Sequence, residues 1–262
     1  MRFRAPATSA NLGPGFDAAA VALDLWNELV VEPGDGVEIE GEGADELPRD
    51  ASHLALRAFA LLAPVDGHRF MFVNRIPLER GLGSSAGAIA LGLQAGAAVA
   101  GSQANLLELG EPLEGHGDNL AAALLGGVTL RWGPGQARRI ADDLPFAPIA
   151  VIPNARTSTK ESRAALPESV PHGDAAETAG AAALLGAAIA SGDPELFAAA
   201  LRDKLHEPYR ASPLLEELRR RHLATLSGSG PTVIVWARPD EADAVAAAID
   251  VADARVLRLR VA

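Results

Sequence analysis

The segment that most constrains this chain is Pro77-Leu78-Glu79-Arg80-Gly81-Leu82-Gly83-Ser84-Ser85-Ala86-Gly87. It closes a strand-like stretch and opens a helix-like one that continues through Ile89, Leu91 and Leu93. Gly81 and Gly83 carry no Cβ, so the backbone can turn sharply and bring its N–H groups close to an anion. The start of the following helix adds unpaired N–H groups and the positive end of the helix dipole. Ser84 and Ser85 supply two hydroxyls for a phosphate oxygen or for a metal riding on it. A plain strand–turn–helix connection uses the same residue types, so the run alone leaves both readings open. No Gly-Lys-Ser/Thr follows, which excludes a Walker A loop, and the glycines do not match G-x-G-x-x-G.

A chain of 262 residues, 48% hydrophobic, can bury one large core or two modest ones. Aromatic residues make up only 4%, so that core is built mainly from Ala, Leu and Val. The net charge of −11 argues against a general nucleic-acid binder, and an acidic enzyme that takes a phosphate must concentrate positive potential locally. The absence of cysteine excludes disulfides, thiolate metal sites and a Cys nucleophile. Ser84–Gly101 is nearly free of charge and about long enough for a bilayer. It is rich in Ala and Gly rather than Leu and Ile, and it starts in a glycine loop, which points to a buried helix. Met1–Pro6 shows no apolar signal core, so a soluble, cytoplasmic protein is expected.

Strands are expected at Arg2–Ala5, Val21–Glu32, Val37–Glu40, Arg69–Asn74 and Val128–Trp132. Helices are expected near His53–Leu62, after the glycine run, around Ala104–Leu113 and at Leu120–Leu125, with Asp118 as an N-cap. From Pro145 the pattern changes. Strands at Ala147–Ile152, Leu223–Ser227, Thr232–Ala237 and Arg255–Val261 alternate with helical stretches around Glu177–Ser191, Glu195–His206, Pro213–His222 and Asp240–Ile249. Reduced to types this is β-α-β-β-α-β with extra helices in the first crossover, the ferredoxin-like order. The boundary is placed near residue 146, giving units 1–146 and 147–262.

Four polar clusters stand apart from the glycine run. Pro6–Asp17 packs Thr8, Ser9, Asn11 and Asp17 among Gly and Pro, which suits either a ligand-binding loop or a surface loop of Asx-turns. Glu114-Gly115-His116-Gly117-Asp118-Asn119 offers groups for a metal, a proton transfer or a hydroxyl, but too few ligands for zinc. Glu108, on the helix before it, is either a solvated side chain or an acid able to meet a Mg²⁺ held at Ser84–Ser85. Arg163 and Arg210 lie in the polar runs Thr157–Arg163 and His206–Arg210. Each is either a surface counter-charge or a planar fork for a carboxylate or phosphate.

Together these segments resemble the GHMP small-molecule kinases over nearly the whole chain. The family's three motifs occur in order at Pro6–Asp17, Pro77–Gly87 and Ser227-Gly228-Ser229-Gly230-Pro231. Ala5–Asp17, Glu114–Asn119, Thr159–Arg163 and His206–Arg210 resemble the homoserine kinase branch. The resemblance implies an α+β fold, with an N-terminal domain like ribosomal protein S5 domain 2 and a ferredoxin-like C-terminal domain. It implies transfer of the ATP γ-phosphoryl group to the L-homoserine hydroxyl, with ATP and Mg²⁺ as cofactors, in the route to threonine. By position, Pro77, Leu78, Glu79, Arg80, Gly81, Leu82, Gly83, Ser84, Ser85, Ala86 and Gly87 would wrap the triphosphate. Ser85 (or Ser84) and Glu108 would hold Mg²⁺, and motif three would back the loop.

Asn11, Asp17, His116 and Asn119 would face the hydroxyl and amine end of the acceptor, and Thr159, Arg163 and Arg210 its carboxylate. Asp17, Asp118 and Asn119 stand nearest the expected chemistry, Asp118 as a base or as an N-cap. Departures from the branch are Gly117 in place of Pro, expected to loosen its loop, Gly87 in place of Ala, and His53 where an Asn near the base is usual. The expected partner is a small molecule, without nucleic acid or membrane, and with a homodimer left open beside a monomer. The rivals are a GHMP kinase for threonine, shikimate or mevalonate, and a sensor on the same fold that binds without turnover.

Overall fold

The computed structural model describes all residues, 1–262. The first sheet is built from β1 (Arg2–Asn11), β2 (Gly15–Pro33), β3 (Val37–Gly41), β4 (His68–Asn74), β5 (Val128–Gly133) and β6 (Gln136–Ala141). Its order is β3-β4-β2-β5-β6, with β1 paired antiparallel to β2 and β3 parallel to β4. Helices α1 (Leu54–Phe59), α2 (Ser84–Ala100), α3 (Leu106–Glu114) and α4 (Asp118–Leu125) cover it. Small residues let the helices approach closely: a Cβ on Gly92 would stand 2.0 Å from the carbonyl oxygen of Ala55. The charge-free segment is therefore a buried helix, and no helix is long and apolar enough to cross a membrane.

The second sheet holds β7 (Ala147–Pro153), β8 (Leu223–Leu226), β9 (Val233–Ala237) and β10 (Ala254–Arg258) in the order β10-β7-β9-β8, every pair antiparallel. This is the 4-1-3-2 arrangement of a ferredoxin-like sheet. Between β7 and β8 come α5 (Thr159–Ala164), α6 (His172–Ser191), α7 (Pro194–Ala200), a 3₁₀ turn at Glu207–Tyr209 and α8 (Pro213–Arg219). Helix α9 (Ala242–Ala248) links β9 to β10. One core of 21 buried residues lies between the first sheet and its helices. A second core, also of 21, joins Leu12, Leu23 and Leu82 to Ile152, Phe197, Ile234 and Trp236, so the two sheets share buried apolar surface. That shared burial fixes one sheet against the other.

Several elements differ from the sequence-based expectation. Pro6–Asp17 is a β-hairpin rather than a loop, because β1 runs through to Asn11 and only Leu12-Gly13-Pro14 separates it from β2. Edge strand β6 and helix α5 were not anticipated. The first is polar and without a buried face, and the second is a short helix in a polar run, capped by Ser158. The helix expected over Glu195–His206 stops at Ala200. Asp203 accepts the N–H groups of Leu205, His206 and Glu207 at 3.0, 2.9 and 2.7 Å, and this local alternative outcompetes helical bonding. Asp118 is the first residue of α4, not its N-cap, which is Gly117.

The glycine run joins β4 to α2 with positive φ at Gly81 (75°) and Gly83 (68°). A Cβ on Gly83 would meet Thr8 Oγ1 at 1.9 Å, and one on Gly81 would meet the Ser227 carbonyl oxygen at 2.3 Å. Gly87 meets nothing closer than Ile76 Cδ1 at 3.5 Å. Gly83→Ala is expected to lower the melting temperature, since positive φ alone costs about 1–2 kcal/mol and the collision adds to it. Gly87→Ala should raise stability by up to about 1 kcal/mol through helix propensity. Chemical denaturation of both variants checks the contrast.

Candidate active site

Two adjoining cavities meet at the head of α2. The first is lined by Asn27, Leu47, His53, Leu54, Phe72 and Leu78, with Ala88 and Leu91 of α2. It is largely apolar, which suits a nucleotide base. His53 forms part of its wall, tilted 31° against Phe72 with ring centroids 4.6 Å apart and accepting the N–H of Ala55 through Nδ1. Burial lowers its pKa below the ordinary histidine value, so the ring is neutral at pH 7.

Glu79, Ser84 and Ser85 border both cavities. The loop is stitched into its surroundings by main-chain bonds. Thr8 N–H donates to Leu82 O (3.0 Å), Thr157 N–H to Glu79 O (2.9 Å) and Thr232 N–H to Arg80 O (3.3 Å), and Ser227 Oγ donates to Gly81 O (2.7 Å). Motif three thus lies directly against the glycine loop. Arg80 borders the second cavity, but its guanidinium is engaged by backbone carbonyls. Its Nε, Nη1 and Nη2 donate to the carbonyls of Pro153, Leu78 and Asn154 at 2.9, 2.7 and 2.6 Å, so its hydrogen bonds tie the loop to the end of β7.

The second cavity is lined by fifteen residues, none hydrophobic. Asn11, Asp17, His116, Asp118, Asn119, Thr159 and Arg163 all reach it, although they are spread over positions 11 to 163 of the chain. The hairpin places Asn11 and Asp17, both at positive φ, with Asn11 Nδ2 donating to Gly228 O and Asn11 Oδ1 accepting Asp17 N–H. Asn119 Oδ1 accepts from Thr8 Oγ1 at 2.6 Å. Asp118 Oδ1 accepts Asn119 N–H at 2.8 Å and lies 3.1 Å from His116 Nδ1. Burial alone would depress His116, but the hydrogen bond and charge of Asp118, with the charge of Glu114, outweigh it and raise its pKa. Thr159 Oγ1 is 3.3 Å from Ser229 Oγ.

Asp17 and Arg163, expected at opposite ends of the acceptor, instead face each other as a two-point ion pair of 2.7 and 2.9 Å. Arg210 does not line this cavity. It is 9% exposed, donates through Nη1 to Gly228 O (2.8 Å) and His206 Nδ1 (3.1 Å), and lies over the face of Phe16, whose ring also carries Arg163. Its buried Nε has no partner.

Glu108 is not near the serines. It is exposed in the first turn of α3, against the turn that joins β5 to β6, where a Cβ on Gly135 would meet its own Cβ at 2.8 Å. Six residues further on, about 9 Å along the helix axis, Glu114 ends α3 and accepts from Ser85 Oγ through Oε2 at 2.5 Å. Burial raises the Glu114 carboxyl above its ordinary pKa, against the opposing effects of Ser85 and His116. A hard divalent cation takes oxygen ligands, and a serine hydroxyl beside a carboxylate at a helix N-terminus fits that chemistry. Glu114 was within the motif but unassigned. Its position at a helix end, next to a glycine that frees the chain to turn, was the signal. Gly117 does not loosen its loop: a Cβ there would stand 2.0 Å from Glu111 Oε1 and 2.4 Å from Arg131 Nε, so the glycine makes room for the 2.6 Å Glu111–Arg131 pair.

Comparison with known proteins agrees with this architecture. Profiles for the GHMP kinases N terminal domain and the GHMP kinases C terminal domain match residues 50–127 and 181–252. The chain belongs to the GHMP kinase family, and it is an ATP-dependent small-molecule kinase. Among its relatives is a homoserine kinase of Streptomyces coelicolor, 45% identical over 271 residues, spanning 94% of this chain and 87% of the relative. The homoserine kinase of Corynebacterium aurimucosum is 41% identical, over 98% of this chain and 92% of its own. The crystal structure of homoserine kinase from Cytophaga hutchinsonii superposes with a TM-score of 0.82 at 26% identity, covering 99% of this chain and 95% of that one.

The placement of the two acids yields a direct test. Glu114→Gln should reduce kcat by about 10²–10³, the usual cost of deleting one electrostatic contact at a reacting centre. Glu108→Gln should turn over like the parent protein. Steady-state kinetics at saturating ATP and Mg²⁺ separate the two.

Proposed function

We infer that the protein phosphorylates the hydroxyl of L-homoserine at the expense of ATP, giving O-phospho-L-homoserine and ADP. The observation that carries this reading is the second cavity. It has no apolar wall and holds side chains of both signs, Asp17, Asp118 and Glu114 against Arg163 and His116. Such a lining suits a small zwitterion with a hydroxyl and disfavours an acceptor with an apolar body. The 45% identity to a homoserine kinase over 94% of the chain supports the same acceptor.

On this reading the apolar cavity takes the nucleotide base and the α2 N-terminus takes the phosphates. Ser85 and Glu114 would hold Mg²⁺, which when bound supplies positive charge where the transferring phosphoryl group needs it. The rest is positioning. Asn119, fixed by Thr8, and the His116–Asp118 pair orient the acceptor hydroxyl, while Arg163 takes the carboxylate and Asp17 the ammonium. Phosphoryl transfer through a loose transition state needs alignment and charge stabilisation more than covalent help. Arg210, one layer behind Phe16, supports this end of the site through Gly228.

ADP release should be fastest, per unit kcat/KM, with L-homoserine. Equal or higher values with L-threonine, shikimate or mevalonate would overturn the assignment. Arg163→Lys keeps the charge and loses the planar fork. It should raise the KM for homoserine about tenfold or more and leave the KM for ATP near its parent value, because the lost contact is to a group that does not react. A raised ATP KM with homoserine unaffected would move Arg163 to the nucleotide side.

A further inference from the structure

We propose that Arg156 is a nucleotide-binding residue, held by Glu46 until ATP arrives and then transferred to a phosphate oxygen. The inference rests on reading the apolar cavity as the base site. Arg156 lines that cavity together with Ser84 and Ser85, the residues that open α2. Its guanidinium makes a two-point pair with Glu46, Nη1 to Oε2 and Nη2 to Oε1, each 2.7 Å, and Nη1 lies 3.5 Å from Glu79 Oε2.

Charge and anchoring both point to this residue. A triphosphate entering the junction of the two cavities meets Glu46, Glu79 and Glu114 on a chain whose net charge is already −11. Of the arginines that border the junction, Arg80 is committed to three carbonyl oxygens and Arg163 belongs to the acceptor side, paired with Asp17. Arg156 is the arginine left on the nucleotide side. Its backbone is held against the loop on both flanks, by Arg80 on Asn154 O and by Thr157 N–H on Glu79 O. The side chain, by contrast, is exposed, and so is Glu46. An exposed pair of this kind is only weakly favourable and is easily exchanged. A phosphate can also present two oxygens to the guanidinium fork, with more charge than a carboxylate. The guanidinium would then face the incoming anion directly, and the released Glu46 carboxylate is exposed enough to be solvated and screened by water.

Glu46 and Arg156 have opposite expected effects, which separates a nucleotide ligand from a simple fastener between two segments. Dissociation constants for ATP, ADP and adenosine are measured by calorimetry, or by competition against a fluorescent nucleotide, for Arg156→Gln, Arg156→Lys, Glu46→Gln and Ala88→Phe. Arg156→Gln should weaken ATP and ADP about tenfold or more, as for loss of a hydrogen bond to a charged group, and leave adenosine unchanged. Arg156→Lys should recover part of the loss. Glu46→Gln should bind ATP as tightly as the parent protein or more tightly, because the arginine no longer has to leave a carboxylate.

Equal weakening of ATP by Glu46→Gln and Arg156→Gln would overturn the proposal, and so would equal weakening of ATP and adenosine by Arg156→Gln. Ala88→Phe fills the apolar cavity and tests the reading beneath it. If it abolishes adenosine binding while Arg156→Gln leaves ATP unaffected, only the role of Arg156 fails. If Ala88→Phe leaves adenosine and ATP binding intact, the base lies elsewhere and the underlying reading fails with it. Thermal melts of each variant show that a loss of binding is not a loss of fold.

Discussion

Everything at the site depends on one close approach of backbones. The glycine loop passes so near β1 on one side and the Ser227–Pro231 turn on the other that neither Gly81 nor Gly83 has room for a methyl group. Three main-chain bonds and the Ser227 hydroxyl then fix the loop's carbonyls outward, toward the protein. With the carbonyls so occupied, the N–H groups at the head of α2 are left facing the junction of the cavities. Arg80, the one cation within the loop, is spent on holding this geometry rather than on a ligand. An anion site made this way is rigid before anything binds, and preorganised dipoles cost no rearrangement when charge develops.

The second consequence of that approach is that the two sheets cannot be treated as separate pieces. Leu82 sits in the core that both share, and residues from position 11 to position 229 border one cavity. Contacts this distant in sequence form only when both sheets are in place. The site is therefore a product of the whole fold, although no single element in it is unusual.

Much of this was legible in the sequence, and what was missed shares a cause. The glycine run was readable because glycine and serine carry conformational and hydrogen-bonding information locally. The ferredoxin-like order was readable because strand and helix periods differ. The Glu108 assignment failed because spacing along a helix says nothing about which end meets the partner. Glu114 reaches Ser85 only because α3 aims its C-terminus at the head of α2. Gly117 was misread for a similar reason: its neighbours, Glu111 and Arg131, are close in space but come from different elements. Arg156 carried no local signal, since its meaning comes from Glu46, 110 residues away. The Asp203 turn that ends α7 early was visible in principle, because an aspartate that can bond the next few N–H groups competes with helix.

The Asp17–Arg163 pair has a consequence for selectivity that neither residue has alone. In the polar cavity each of these two charges is engaged by the other, so a ligand that takes one must part it from its partner. A molecule bearing only a carboxylate would claim the arginine and strand the aspartate beside its own negative charge. One bearing only an amine would do the reverse. A zwitterion whose two charges are spaced to meet both groups leaves neither stranded. A pair of this kind would thus work as a coincidence detector, in which the penalty for a half-matching guest is set by the protein's own broken pair.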